Sequence, residues 1–523
     1  MRHTIRELIY DSVKASPETD AVRWIEKKEI RSKTYGQMWE DICRIADSLG
    51  TLFKTQDSDN KSIQGHHAAI IGPSSYEWIT SYLALTCNGG VAVPLDLLLP
   101  DDALIELITR ADCELLFCTA TRDSLIKRAY QVIESKTTSL KKIVILDKGI
   151  GENKKDVSYA DLLEKGKYIE NEYEAPKACD LASIIFTSGT TGKAKGVMLS
   201  QQNQADNVES VYIEATPGAV MLSVLPIHHA YCLTMDWLKG FSKNATLCIN
   251  DSLMHIMKNI KLFRPRIMLM VPLMIEMISK RLKASHAEEM PPEIIYENVF
   301  GGNLRYIFSG GAHLDPKYVE EFARYGFKIC EGYGMSECAP VISTNGDMGD
   351  KPGTSGKLLP NVEARFKDGE LQIRGSSVMM GYYKMEDETA KTFDDGWLKT
   401  GDLAYLDEDG YLVITGRIKN LIILSNGENV SPEEIEAILA GNELVDEVVV
   451  TGNETGLTAH IYTDPETIKF LNMQNEMVKM HIRAVIEDFN KKQPSYRRIT
   501  KFVLRDVPFE KNTTKKIIRG KVA

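Results

Sequence analysis

Short apolar runs alternate with stretches of helical spacing through the first two-thirds of the chain, and this alternation leaves few folds open. Residues 67–72 read as a buried strand, 76–85 carry apolar side chains at helical spacing, and 90–94 read as strand again. Segments 115–117 and 142–147 repeat the theme. Brief apolar runs bounded by turn residues fit strands buried on both faces, and strands that alternate with helices assemble into largely parallel sheets. The texture changes after about Lys351, where Gly353, Gly356, Gly369, Gly375 and Gly381 punctuate short β-rich runs. That section predicts a compact antiparallel or barrel-like piece.

A third texture follows Gly416-Arg417. Residues 421–424 are strand-like, and Ser431-Pro432-Glu433-Glu434 predicts a helix start. Ser431 would be its N-cap, Pro432 would sit in the first turn, and Glu434 would close a capping box. Residues 448–450 and 459–462 read as strands, and Val478, Ile482, Val485 and Phe489 mark a helix that stops by Pro494. The tail is therefore a small α+β unit, with a boundary near residue 416.

Composition removes several function classes. Among 523 residues, 63 Lys and Arg stand against 73 Asp and Glu, a formal net charge of −10. Nucleic-acid binding rests on neutralising phosphates with basic side chains, so no nucleic-acid partner is expected, although one local basic site for a small anion is compatible. Apolar stretches such as 267–275 are interrupted by Pro272 and fall short of the ~20 residues a membrane-spanning helix needs. The N-terminus carries no apolar core of signal-peptide length. Nine scattered cysteines without a C-x-x-C pair read as reduced thiols, so a cytoplasmic location is expected.

The most informative segment runs from Ile184-Ile185-Phe186 into Thr187-Ser188-Gly189-Thr190-Thr191-Gly192-Lys193-Ala194-Lys195. A strand-like run enters a loop whose backbone N–H groups, hydroxyls and lysines can face phosphate oxygens. It is not a Walker A loop, because Thr187 stands where the first glycine is required and Ala194 follows the lysine. The plain alternative is a flexible surface linker.

This loop resembles the phosphate-binding signature of the AMP-forming acyl-adenylating enzymes, the superfamily of acyl-CoA synthetases, adenylation domains and firefly luciferase. Further segments resemble that family in its order. Gly310-Gly311-Ala312 looks like the adenine-side loop, and Tyr333-Gly334-Met335-Ser336-Glu337 like the aromatic-Gly-x-Thr-Glu motif, with Ser336 replacing Thr. Lys399-Thr400-Gly401-Asp402 and Ile414-Thr415-Gly416-Arg417 look like the ribose-binding segments. The tail from Pro508 to Arg519 looks like the C-terminal lysine motif, where Lys515 replaces a glycine and spacing to Ile517-Ile518-Arg519 favours Lys516 over Lys515 as the catalytic lysine. The N-terminal segments 4–8 and 32–35, the His228-His229 pair and the stretch 419–430 look most like bacterial long-chain fatty acyl-CoA synthetases.

The resemblance implies an α/β fold. A large N-terminal body, 1–416, would hold two α/β sheet subdomains (about 1–180 and 181–350) and a β-barrel-like section (351–416), followed by a small mobile α+β domain, 417–523. It implies attack of a carboxylate on the α-phosphate of ATP, giving acyl-AMP and pyrophosphate, then transfer to the thiol of coenzyme A. An acyl carrier protein is the alternative acceptor, and a non-catalytic acyl or nucleotide sensor is the reading outside enzymes. The carried-over catalytic residues are Lys516, Glu337, Lys195 and His229, with Glu337 as the Mg2+ ligand. Nucleotide contacts fall to Thr187 through Lys193, Gly310 through Ala312, Tyr333, Gly334, Ser336, Asp402 and Arg417. Lys419 is the matching hinge position, and Gly427 falls in the loop that would line the pantetheine channel. Taken singly, each has an ordinary reading: Glu337 a solvated loop carboxylate, Tyr333 and His229 core, Asp402 a turn cap, Arg417 a surface ion pair, Lys516 part of a solvated basic tail. Ala230 stands where amino-acid-activating relatives commonly place Asp, which argues against an α-amino acid substrate. The Met and Leu residues of 253–278 fit an acyl tunnel or, more simply, core.

Overall fold

The computed structural model describes residues 2–54, 61–147, 157–170, 173–187, 193–346, 349–424, 428–453, 456–511 and 517–522. The apolar runs form strands as their brevity requires. His67–Ile71 pairs in parallel with Val91–Pro94 and with Leu115–Cys118, which pairs in parallel with Lys142–Ile145. Between them, Ser75 caps the Tyr76–Thr86 helix by accepting a hydrogen bond from the Trp78 N–H. Leu116, Ile71, Val93 and Ile143 close a core with helices on the sheet. The sheet continues through Leu181–Thr187 into the antiparallel strands Lys195–Ser200 and Gly381–Tyr382. It holds eight strands.

A second sheet of nine strands has a parallel centre of Thr246–Ile249, Val220–Ser223, Ile267–Met270, Tyr306–Ser309 and Lys328–Gly334. Val341–Thr344 and Lys357–Leu358 extend one side antiparallel, and the hairpin of Asp20–Glu26 and Glu29–Thr34 extends the other. The sheets therefore interleave along the chain. The first takes strands on both sides of residue 180 and the second draws on residues near the N-terminus, so sheet membership cuts across the expected limits near 180. Hydrogen-bonding capacity at an open strand edge decides membership, and sequence order does not.

The Gln201–Ser210 helix is polar along its length yet mostly buried. Gln204 accepts from the Ser183 hydroxyl of the first sheet at 3.0 Å. Asn207 brackets Val341 of the second, donating to its carbonyl at 2.7 Å and accepting from its N–H at 3.1 Å. A buried polar helix is tolerated only when its amides are satisfied in this way.

Packing divides the chain into two compact units, Met1–Glu363 with Ile373–Leu398, and Ala364–Gln372 with Lys399–Ala523. In the second, Val445–Asn453 runs antiparallel to Gly456–Thr463, which pairs in parallel with Ile499–Arg505. The Asn475–Lys491 helix buries Val478, Ile482, Ile486 and Phe489, with Ile486 taking the place expected of the half-buried Val485. The Pro432–Ala440 helix starts at Ser431 as read, but without the capping box. The Ser431 hydroxyl instead donates to the Thr415 carbonyl at 2.7 Å, and Glu434 pairs with Arg497 at 2.6 Å. The Met and Leu stretch also splits: Ile267–Met270 is core, whereas Leu253, Met254, Leu262, Leu273 and Met277 are exposed.

Replacing Asn207 with Ala orphans the Val341 N–H and carbonyl in a buried setting. Chemical denaturation should show a loss of roughly 1–3 kcal/mol from the larger unit, while an exposed control such as Lys258→Ala leaves its midpoint unchanged.

Candidate active site

In the first sheet Thr187 and Lys195 lie opposite each other at the ends of paired strands. The intervening Ser188, Gly189, Thr190, Thr191 and Gly192 lie outside the described residues, and Lys193 follows, exposed. Lys195 Nζ sits 2.8 Å from Glu388 Oε2 and 4.8 Å from the centre of the Tyr382 ring. The Glu388 carboxyl is held below its usual range by hydrogen bonds from Lys195 and then Lys391. Tyr382 in turn donates to Glu337 Oε1 at 2.9 Å. Burial, and secondarily the charge of Glu337, push the Tyr382 hydroxyl well above its ordinary value, so it remains a donor.

Lys195 and Glu337, far apart in sequence, are thus joined through one tyrosine. The sequence reading missed Tyr382 and Glu388. A signal existed in Gly381, whose φ of +136° and lack of a Cβ let the chain run against Thr389, where an added Cβ would meet Thr389 Cγ2 at 2.8 Å.

Glu337 is buried in a short turn, Ser336–Cys338, beyond the Lys328–Gly334 strand. Tyr333, next to last in that strand, is half-buried, and so is Ser336. Gly334 admits no side chain, because a Cβ there would lie 2.0 Å from the Pro340 carbonyl oxygen. Gly310, Gly311 and Ala312 follow the neighbouring parallel strand Tyr306–Ser309, with Gly311 at φ +87° and a Cβ on Gly310 reaching 3.2 Å from the Tyr231 ring. Both loops lie at carboxyl ends of parallel strands, where open α/β sheets take their ligands.

The His228 and His229 rings lie 4.2 Å apart between centres, their planes tilted by 46°. Their loop is tied down at its base: Cys232 Sγ donates to the Leu225 carbonyl at 3.2 Å, and Ser223 donates to Asp236 Oδ2 at 3.0 Å. Cys232–Leu238 is π-helical, a form that recurs at functional sites. Burial and then His229 lower the His228 pKa from 6.5 to about 4, against a weak opposing pull from Asp96.

In the second unit, Asp402 and Arg417 face each other across antiparallel strands, Arg417 Nε 2.8 Å from Asp402 Oδ1. Asp402 is only 3% exposed. Lys419 lies in the Ile418–Asn420 turn, its pKa lowered by burial and then by Arg417. Gly427, Lys515 and Lys516 lie outside the described residues. Just beyond, Arg519 engages Glu436, and Lys511 pairs with Glu447 at 2.6 Å.

Among the described residues no group of three or more His, Cys, Asp or Glu is placed to hold a metal ion. A hard cation that keeps several waters needs only one or two carboxylates, so the buried Glu337 is compatible with Mg2+.

The family profile described as AMP-binding enzyme matches residues 9–383, and that described as AMP-binding enzyme C-terminal domain matches residues 419–523. The chain is 28% identical over 462 residues to the long-chain-fatty-acid–CoA ligase FadD15 of Mycobacterium bovis, covering 79% of this chain and 75% of that protein. It is 27% identical over 492 residues to the long-chain-fatty-acid–CoA ligase of Bacillus subtilis, covering 86% and 82%. Its fold is similar to that of ATP-bound MatB from Rhodopseudomonas palustris, with a TM-score of 0.81, 24% identity and coverage of 99% and 98%.

The His228 shift fixes a pH dependence. The unfolded ring binds a proton below 6.5 and the folded one only below about 4, so stability is complete above 6.5 and declines as pH falls through that window. His228→Gln should flatten the pH 4–6.5 portion of the stability profile, and the His228 ring should titrate by NMR well below pH 6.

Proposed function

We infer that this chain, which belongs to the AMP-binding enzyme family, activates a medium- to long-chain fatty acid with ATP and passes the acyl group to coenzyme A. The observation that supports this reading is the Lys195–Tyr382–Glu337 connection, which joins a cation at the start of the strand following the loop expected to cradle phosphates to a buried carboxylate. The curated relatives named as long-chain-fatty-acid–CoA ligases support the acid and the thiol.

A carboxylate is a poor electrophile, so it first needs a leaving group. Attack on the α-phosphate of ATP forms the acyl–phosphate bond and breaks the bond to pyrophosphate. Two anions must meet in this step, and the positive charge falls to Lys195, Lys193 and Lys516. Glu337 would hold Mg2+, which supplies Lewis-acid stabilisation of phosphate oxygens when bound. Thr187 through Gly192 would offer backbone N–H groups and hydroxyls to the phosphates. Tyr333 would stack on adenine beside Gly310, Gly311 and Ala312, with Gly334 and Ser336 shaping the same wall. Asp402 would accept hydrogen bonds from ribose hydroxyls, its carboxylate already oriented by Arg417. His229 would line the acyl pocket.

In the second step the thiol sulfur attacks the acyl carbon and AMP departs. Lys516 serves the first step and must vacate for the second, which assigns a hinge to Lys419 and the pantetheine channel to the loop containing Gly427. The moving lid would then be 417–523, a hinge boundary distinct from the packing division. The enzyme would work in the cytoplasm.

Lys516→Ala should slow acyl-AMP formation about 100- to 1000-fold while largely sparing thioester formation from supplied acyl-AMP, and equal loss of both would refute the division of labour. Asp402→Asn should raise KM for ATP roughly tenfold or more, measured as pyrophosphate release with a fatty-acid panel. Offering coenzyme A or acyl carrier protein separately, with the thioester identified by mass, tests the acceptor; a chain releasing no pyrophosphate with any acid would be a sensor.

A further inference from the structure

One arginine of the larger unit touches both ends of the loop expected to meet phosphates. Arg110 is the last residue of the Asp101–Arg110 helix. Its Nη2 donates to the Ala194 carbonyl at 2.7 Å, just after Lys193. Its guanidinium carbon lies over the Phe186 ring, 5.6 Å from the ring centre and just before Thr187. The same Nη2 is 3.8 Å from Met385 Sδ, in the segment that follows Tyr382. Within its own helix Arg110 makes only a long contact, Nη1 to the exposed Glu106 at 3.5 Å.

The Ala194 carbonyl needs such a donor. Pairing of the strands Leu181–Thr187 and Lys195–Ser200 ends at Thr187 opposite Lys195, so Ala194 lies past the last pair of the ladder. A guanidinium suits this position because it can cover an aromatic ring and still donate to a carbonyl, whereas an ammonium is a compact point charge.

The turn after the helix holds the neighbouring strand. Asp112 has a φ of +51°, and its N–H returns to the Thr109 carbonyl at 3.1 Å, as that of Cys113 does to Ile108 at 3.1 Å. The turn is thus fixed to its own helix. The Asp112 carboxylate accepts from the Tyr383 hydroxyl at 2.6 Å and pairs with Lys384 at 2.5 Å. Tyr383 in turn donates its N–H to the Gly196 carbonyl at 2.8 Å, on the strand that begins with Lys195. Residues 110 and 112 therefore grip the ends of the loop and the segment carrying Tyr382 from one rigid turn. Fixing the backbone there removes freedom that would otherwise be lost when phosphates bind.

We propose that Arg110 is a positioning residue for the step that forms acyl-AMP. It holds the exit of the loop through the Ala194 carbonyl, while Asp112 holds the Tyr382 segment from the same turn. The proposal rests on the ATP-dependent reading above and adds a residue remote from the loop in sequence. Arg110 acts through backbone on which Lys193 and Lys195 are mounted, and contact with the nucleotide is not required.

The test is pyrophosphate release by the full chain with ATP and a fatty-acid panel, beside thioester formation from supplied acyl-AMP and coenzyme A. Arg110→Ala should lower kcat/KM for ATP about 30- to 100-fold. The KM for the fatty acid and the rate of thioester formation from acyl-AMP should stay within about twofold of wild type. Arg110→Lys, which restores a donor for Ala194, should recover about tenfold of the loss. Glu106→Gln, which removes only the contact within the helix, should match wild type. Arg110→Gln carries the same expectation as Arg110→Ala should the latter not fold. Wild-type kcat/KM in the Arg110 variants overturns the proposal, as does equal loss of both half-reactions in a folded chain, which marks a general structural role. Arg110→Lys no better than Arg110→Ala, or Glu106→Gln as impaired, overturns it as well. A wild-type chain that releases no pyrophosphate with any acid fails at the earlier reading and takes the proposal with it, so the wild-type measurement tells the two failures apart.

Discussion

The architecture of the larger unit depends on side-chain amides that join its two sheets. Apolar contact alone would let two sheets slide, because it has no direction. Asn207 makes two hydrogen bonds to the backbone of Val341, and Gln204 meets Ser183 on the other sheet from the same helix. Gln201, one turn earlier, donates to the Thr86 carbonyl and accepts from the Ile5 N–H. The strand held by Asn207 pairs with the strand that carries Tyr333. Register set by the amides is thereby passed to the loop carrying Glu337, which Tyr382 then holds from the first sheet.

Much of this was legible in residues, but unevenly. Parallel strands such as Ile267–Met270 are apolar throughout because both faces are covered, so their run lengths show where they begin and end. The amide helix was not legible, since Gln-Gln-Asn-Gln-Ala-Asp-Asn has no apolar stripe and period-based reading sends such a segment to the surface. Its burial follows from partners that are remote in sequence. Ser431 shows a milder version: the helix start was readable, whereas the hydroxyl's preference for the Thr415 carbonyl depends on where another strand ends. The exposed methionines make the converse point. Apolar spacing in the Pro272–Ala284 helix reads as acyl tunnel or as core, and only the packed structure separates the buried Ile275 from the exposed Met277.

The site adds a point about charge. Sequence displays cations, and the fold displays their counterions. Lys195 rests on Glu388 and Arg417 on Asp402, so neither positive group is left bare. For Lys195, whose side chain is 15% exposed, an unpaired charge would be costly, and the long side chain without a partner would have to be ordered when an anion arrives. Pairing removes both costs in advance. It also reduces the local field, so in the proposed reaction each pair would have to yield or share its cation as phosphate approaches. Lys195 has a second support in the face of the Tyr382 ring, which would keep the ammonium in place if its hydrogen bond to Glu388 were exchanged for one to phosphate. The same ring carries the hydroxyl bound to Glu337, so movement of the lysine and placement of the carboxylate are mechanically linked through one side chain. A tyrosine satisfies both demands at once, which phenylalanine, lacking the donor, and leucine, lacking the ring face, would not.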